Sequence, residues 1–119
     1  MIEIRYRAWD IQTESMRDVL VIDWVNKLID LSGGIIERRP HEVILMQSTG
    51  FEDKNGVEIY ERDIVRYFRN ELAVIVYRNG GVDIRSLSWK ECEPLQRRLG
   101  EIEVIGNVYQ NKDLLGEEE

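Results

Sequence analysis

Short stretches in which apolar and polar residues alternate, separated by turn residues at close intervals, constrain the fold of this chain most strongly. Ile2–Trp9 alternates strictly, and Ile102–Tyr109 repeats the pattern with Val104, Gly106 and Val108 on one face. A period of two is typical of a β-strand that buries one face against a core. Both ends of the chain are therefore predicted to be strands.

Turn signals divide the sequence between these two strands. Asn55-Gly56 tolerates positive φ at both positions and predicts a hairpin, and Arg78-Asn79-Gly80-Gly81 predicts a second one. Gly33-Gly34, the residues around Pro40 and the polar Glu61-Arg62-Asp63 are further breaks. We expect about seven or eight short strands, and hence a mainly β fold built as a small barrel or sandwich.

Two segments are less regular. In Arg17–Leu31, Val21, Trp24, Val25 and Leu28 match a helical stripe, whereas Val19–Ile22 is a β-rich run, and a strand with an irregular return is favoured. Near the C-terminus, Pro94 suits a first helical position, Leu95 and Leu99 lie four residues apart, and Gly100 can end a helix. One short helix is therefore predicted there.

The composition fits one soluble domain. The chain has 119 residues, 43% of them apolar, and a formal charge of −7, which is enough apolar material for one core. No apolar run is long enough to span a membrane, and a single cysteine, Cys92, suits a reducing compartment. We expect a single domain over 1–119, with an N-terminal β segment at 1–42, a barrel-like portion at 43–115 and a frayed acidic tail at 116–119.

Residues that could carry catalysis or bind a metal are few. His41 and Cys92 are too few for a zinc site, and a calcium loop aligned on Gly56 places Phe51 and Arg62 at ligand positions. Carboxylates that could hold magnesium are read as solvated side chains. Glu101 and Glu103 are expected on one face of a strand, and Asp10, Asp63 and Asp83 at strand ends or turns. The sequence therefore predicts no catalytic, cofactor-binding or metal-binding residue.

One group of arginine and aromatic residues could bind nucleic acid or a partner. Its members flank one hairpin of the predicted barrel and are Arg62, Arg66, Tyr67, Phe68 and Arg69, with Tyr60 and Arg78 nearby. Aromatic rings between cations can stack bases. The net charge of −7 disfavours nucleic acid, and the arginines can equally pair with neighbouring glutamates.

Two predicted strands are apolar on both faces. Val43–Met46 and Leu72–Val76 hold more apolar surface than one side of a small sheet can cover. Either a covering segment or another subunit must hide it. An oligomer or a protein-binding surface is therefore expected.

Three blocks, in order, resemble the YopX family of phage and prophage proteins. They are Arg7-Ala8-Trp9-Asp10 followed by Met16, the stretch from Val43 to Val65, and Glu103–Tyr109 with Asn111, Leu114 and Leu115. The resemblance implies a mainly β protein acting in the cytoplasm of a bacterial host cell, and it carries no activity. Arg62 and Lys112 replace a usual glycine and proline, so the turn at Arg62 must avoid positive φ or accept strain.

From these features we expect a non-enzymatic accessory protein. Its partner would be a host or phage protein, with homo-oligomer formation, no cofactor and no membrane. The alternative is a small nucleic-acid-binding barrel. The block Glu58–Val65, followed by Val74–Tyr77, also resembles the first strands of an SH3-like barrel. Trp9 and Tyr60 are expected as packing anchors, Asp63 in its turn and Asn107 in a local side-chain-to-backbone hydrogen bond.

Overall fold

The computed structural model describes residues 5–118, which fall into two units, one ending at Gln47 and the other beginning at Ser48. Residues 2–4 of the first predicted strand and residue 119 of the predicted tail lie outside the described residues. Antiparallel strands dominate the chain, so the predicted mainly β fold is confirmed. Within residues 5–118, no helix is long and apolar enough to cross a bilayer. The predicted domain limits and the likeness to an SH3-like barrel stay predictions.

The first unit is an antiparallel sheet. Its elements are β1 (Tyr6–Asp10), β2 (Ser15–Asp23), β3 (Leu28–Leu31), β4 (Ile36–Arg38), a 3-10 helix (Pro40–Glu42) and the first half of β5 (Val43–Glu52). The strand order is β4-β3-β2-β1-β5. Arg17–Leu31, for which the sequence allowed either a helix or a strand with an irregular return, forms a hairpin of β2 and β3 with its turn at 24–27.

The core of the first unit comes from the alternation of its strands. Ala8 of β1, Ile29 and Leu31 of β3, and Val43 of β5 are buried together. Each lies on the face that its strand turns inward, since every second residue shares a face. Val19, Ile36 and Leu45 pack against this cluster from its margin.

The second unit contains the remaining strands. They are the second half of β5, β6 (Glu58–Tyr60), β7 (Asp63–Tyr67), β8 (Glu71–Arg78), β9 (Gly81–Ser86), β10 (Cys92–Pro94) and β11 (Glu103–Asn107). Three 3-10 helices, Phe68–Asn70, Leu95–Glu101 and Lys112–Glu118, lie between or after them. β5 pairs with β6, and the other five strands form an open sheet in the order β10-β9-β8-β7-β11.

One apolar cluster fills the second unit. Its buried members come from the strands and from the 3-10 helix after β10, and they are Ile59, Val65, Ala73, Ile75, Ile84, Leu95 and Ile102. Leu99 packs against this cluster, so the predicted pair Leu95 and Leu99 does face the core. The helix is 3-10, and Pro94 precedes it as its cap.

The two predicted hairpin turns differ in their backbone. Asn79 and Gly80 have φ of 51° and 80°, which is the type I′ pattern expected between β8 and β9. In the β5–β6 turn only Gly56 of the predicted pair has a positive φ, at 81°. The predicted hairpin between β5 and β6 does form, but its turn differs from type I′, because the Asp53 carboxylate accepts the backbone N–H groups of Asn55 and Val57.

Other differences come from irregular pairing. The described chain contains eleven strands, because the short segments Ile36–Arg38 and Cys92–Pro94 also pair. The register of β11 against β7 shifts between Val104 and Gly106. This bulge ends the strict alternation expected for Ile102–Tyr109, since a bulge adds a residue to one strand, and Asn107 is buried beyond it.

Candidate interaction surfaces

The structure spreads the five arginine and aromatic candidates along β7. Arg62 lies in the turn before the strand, whereas Phe68 and Arg69 lie in the 3-10 helix after it. Arg66 is exposed, and its neighbour Tyr67 packs against the core cluster of the second unit. The strand therefore separates Arg62 from Phe68 and Arg69, and it turns Arg66 and Tyr67 to opposite faces.

Several arginines around this strand are paired with carboxylates. Arg66 Nη1 lies 3.4 Å from Glu103 Oε1, and Arg78 Nε lies 3.3 Å from Asp83 Oδ2. These are cross-strand pairs, between β7 and β11 and within the β8–β9 hairpin. Such pairing neutralises much of the positive charge that nucleic-acid binding would use.

Phe68 is the centre of a smaller cation–aromatic cluster. The guanidinium of Arg69 lies 5.0 Å from the centroid of the Phe68 ring, and that of Arg98 lies 5.6 Å from it. Arg98 also hydrogen-bonds Glu93, and this bond raises the pKa of Arg98 above its ordinary value. Phe68 remains 48% exposed. Arg98 could not be identified from the sequence, because its position beside Phe68 depends on how the 3-10 helix packs.

The carboxylates considered for metal binding hold structural positions. Asp53 Oδ2 accepts the backbone N–H of Val104 at 2.9 Å, and Asp63 Oδ2 accepts that of Tyr60 at 2.8 Å. Glu101 lies in a 3-10 helix and Glu103 in β11, so the expectation that they share one strand face is wrong. In the part of the chain that the structure describes, no three His, Cys, Asp or Glu side chains are grouped to hold a metal ion.

The expectation of a solvated carboxylate is wrong for Asp63, which is 1% exposed, and for Asp10. Asp10 is 0% exposed at the end of β1, and Arg38 of β4 donates to it from Nε at 2.9 Å and from Nη2 at 3.1 Å. Burial would raise the pKa of Asp10, but the hydrogen bonds from Arg38 and Thr13 outweigh it and hold the pKa below its usual range. The local sequence reads as a polar turn, whereas the partner lies twenty-eight residues away.

The residues expected to be structural behave largely as predicted. Asn107 Oδ1 accepts the backbone N–H groups of Tyr109 and Gln110, at 3.0 and 2.9 Å, which confirms the local bond. Asp63 is buried beside its turn. His41 is exposed in the 3-10 helix before β5, and Cys92 is half-buried.

Exposed apolar side chains concentrate on the first unit. We call the five exposed large apolar residues within positions 20–35 the hairpin apolar surface; they are Leu20, Val21, Trp24, Val25 and Ile35. Trp24 is 71% exposed, Val25 89% and Ile35 fully exposed. Leu20 and Ile35 line one shallow groove of about 360 Å³. Monomeric proteins rarely expose many large apolar side chains close together, and such a concentration typically marks an interaction site.

Local geometry holds this surface outward. The pairing of β2 with β3 shifts register between Val19 and Val21, and this bulge leaves both Leu20 and Val21 exposed. At the hairpin tip, Asp23 Oδ1 accepts the backbone N–H groups of Val25 and Asn26, at 3.1 and 3.0 Å. These bonds fix the turn that presents Trp24 and Val25. Sequence reasoning identified the β-rich run but not the bulge, which depends on the partner strand.

Comparisons with known proteins identify relatives of this chain. A family model described as YopX protein matches residues 5–116. Among solved structures, protein EF1440 from Enterococcus faecalis is 27% identical with a TM-score of 0.71, and the match covers 97% of this chain and 99% of that one. Protein yopX from Bacillus subtilis is 21% identical with a TM-score of 0.58, covering 93% and 95%, which shows a shared fold. No curated protein matches the chain.

Proposed function

Since the chain belongs to the YopX family, we propose that it is a phage- or prophage-encoded accessory protein that acts by binding proteins and performs no catalysis. The primary contact is with a second copy of the chain, and a host or phage protein is the target of the assembly. The phage origin rests on the family resemblance. The bacterial cytoplasm as its location rests on the family resemblance and on the single cysteine, which suits a reducing compartment.

The hairpin apolar surface is the observation that carries this proposal. Five large apolar side chains exposed within sixteen residues would be costly to hydrate in a protein that stays alone. Trp24 stands in a turn whose backbone is fixed by Asp23, so the turn itself loses little conformational entropy on binding, and tryptophan is one of the residues enriched at binding hot spots. The surface therefore has the chemistry of a binding anchor.

A second copy fits this surface because a sheet edge lies beside it. β4 ends the strand order of the first unit and begins directly after the fully exposed Ile35. An edge strand offers backbone N–H and C=O groups to another strand. Two copies related by a two-fold axis would present the same edge and the same apolar side chains to each other, as closed dimers do.

The absence of catalysis in the proposal is supported by the roles of the buried acids. Asp10 is held by Arg38, Asp53 by three backbone N–H groups, and Asp63 by the N–H of Tyr60. A general acid or base must present its proton to a substrate. The oxygens of these carboxylates instead accept hydrogen bonds from groups of the protein itself.

Sedimentation velocity over a concentration series tests the self-association. The wild-type chain should sediment as a species larger than the monomer at high concentration, and Trp24→Ser should shift the chain to monomer. Trp89→Ser is the matched control, because Trp89 is similarly exposed at 68% but lies in the second unit. A wild-type chain that stays monomeric, or equal effects of the two substitutions, would refute self-association through this surface.

The exposed ring of Phe68 favours a second candidate, the binding of single-stranded nucleic acid. Two guanidiniums lie near this ring, and such a platform can stack a base. Phe68→Ala should then abolish binding of a fluorescent oligonucleotide, and Arg69→Ala should flatten its salt dependence. If neither substitution changed the affinity for the oligonucleotide or its salt dependence, this candidate would be eliminated.

A further inference from the structure

A second surface, on the other unit, has different chemistry. A groove of about 350 Å³ lies on the second unit, with Val74 and Val76 of β8 among its apolar lining residues. Arg62, Arg85 and Lys90 also line it. Among the described residues that line the groove, none carries a carboxylate. The groove thus combines apolar walls with three positive charges in a chain whose net charge is −7.

Two of these cations are not neutralised. Among residues 5–116, the side chains of Arg62 and Arg85 have no hydrogen-bond or ion-pair partner. In contrast, Arg66, Arg78 and Arg98 each contact a carboxylate. Arg62 and Arg85 therefore bring uncompensated positive charge to this groove, where apolar walls reduce screening by water.

The backbone holds two of the cations in place. Arg62 and Lys90 have φ of 70° and 62°, in the left-handed region where glycine is favoured. Arg62 is fixed by its N–H, which donates to Ile75 O at 2.8 Å, and by its carbonyl, which accepts the N–H of Val108 at 3.1 Å. The Lys90 N–H donates to Ser86 O at 2.9 Å. Both side chains therefore start from fixed positions at the groove.

We propose that this groove binds an acidic peptide segment of a partner protein, in which a large aliphatic residue is followed by consecutive carboxylates. The aliphatic side chain lies against Val74 and Val76, and the carboxylates meet the guanidinium groups of Arg62 and Arg85. Arginine is well suited to this role because its planar guanidinium can bind a carboxylate through two hydrogen bonds.

The chain itself shows this combination of residues. Leu115 lines the groove, and in the sequence it is followed by Gly116 and three glutamates. A leucine is thus already accommodated beside the three cations. A peptide fits better than a nucleic acid because no aromatic side chain is among the described residues lining the groove, so bases would lack a stacking surface.

Fluorescence anisotropy with the full chain tests the proposal. The probe is a fluorescein-labelled peptide, Asp-Leu-Leu-Gly-Glu-Glu-Glu, and the key variant is Arg62→Gly. This substitution removes the cation while leaving a backbone that glycine accepts at φ of 70°, so the variant should fold. Probe binding should weaken about tenfold, the effect of losing one hydrogen bond to a charged group.

Arg69→Gly is the matched control. Arg69 also has a positive φ, of 56°, and its replacement by glycine removes the same charge. Because Arg69 does not line the groove, the affinity of the Arg69→Gly variant for the probe should stay within about twofold of that of the wild type. Equal weakening by both substitutions would overturn the proposal, as would unchanged affinity for a probe in which both leucines are serine. The proposal would also be overturned if a single-stranded oligonucleotide displaced the probe at a lower concentration than the unlabelled peptide does.

Discussion

The carboxylate of Asp53 accepts the backbone N–H of Val104 at 2.9 Å, across fifty-one positions of sequence, and so ties the β5–β6 turn to β11. The other carboxylate oxygen accepts the N–H groups of Asn55 and Val57, at 2.8 and 2.9 Å. Asp53 is buried. One side chain therefore satisfies three backbone donors from two separate segments of the chain.

Replacing Asp53 with alanine should destabilise the protein strongly. The substitution leaves three N–H groups without their acceptor, and we expect the free energy of unfolding to fall by about 3 kcal/mol. Urea denaturation followed by tryptophan fluorescence measures this loss. Asp113→Ala, which removes an exposed carboxylate, should change the free energy by less than about 0.5 kcal/mol; similar losses in both variants would contradict the role of Asp53.

The same carboxylate should make stability depend on pH. Burial acts to raise the pKa of Asp53, but the three backbone N–H donors outweigh it and hold the pKa below the ordinary value of 3.8. Because the folded-state pKa is the lower one, the unfolded chain takes up protons first as the pH falls. The stabilisation by Asp53 is thus complete above about pH 5 and declines as the pH drops through 4 and 3.

Urea midpoints at pH 6, 4 and 3 test this linkage. The difference in the free energy of unfolding between wild type and Asp53→Ala should narrow as the pH falls. Protonation of Asp53 weakens its hydrogen bonds with the backbone N–H groups, which are the same bonds that the substitution removes. Asp113→Ala should follow wild type at every pH. A difference that stays constant from pH 6 to pH 3 would show that the ionised carboxylate contributes nothing specific.

Gly106 should not tolerate a side chain. A Cβ at this position would collide with the carboxamide of Asn111, whose Oδ1 accepts the N–H of Asn107 at 3.1 Å. Gly106→Ala should therefore lower the free energy of unfolding by about 2 kcal/mol through overpacking. Gly100→Ala, which meets open space, is the control for thermal denaturation; equal melting temperatures for the two variants would contradict this close packing.

The features that sequence reasoning predicted well depend on neighbouring residues. Asn79-Gly80 specifies its hairpin because two adjacent residues adopt positive φ, and this preference is local. Asn107 specifies its hydrogen bonds in the same way, through N–H groups two and three positions ahead. Local chemistry of this kind can be read directly from the sequence.

The features that were missed depend on distant partners. Asp10 is buried because Arg38 of another strand reaches it, and the bulges of β2 and β11 arise from register against β3 and β7. The bulge of β2 matters most for the proposed function, because it exposes Leu20 and Val21 of the hairpin apolar surface. The apolar surface was expected on Val43–Met46 and Leu72–Val76, but no residue of either segment is exposed.

Hydrogen exchange of backbone amides at low and high protein concentration tests most directly whether the hairpin apolar surface binds a second copy. Peptides covering residues 19–38 should exchange more slowly at high concentration, because a second copy covers β4 and the turn at Trp24. Peptides covering residues 78–82, at the β8–β9 turn, should exchange at the same rate at both concentrations. Unchanged exchange over residues 19–38, or protection confined to other segments, would contradict the proposal.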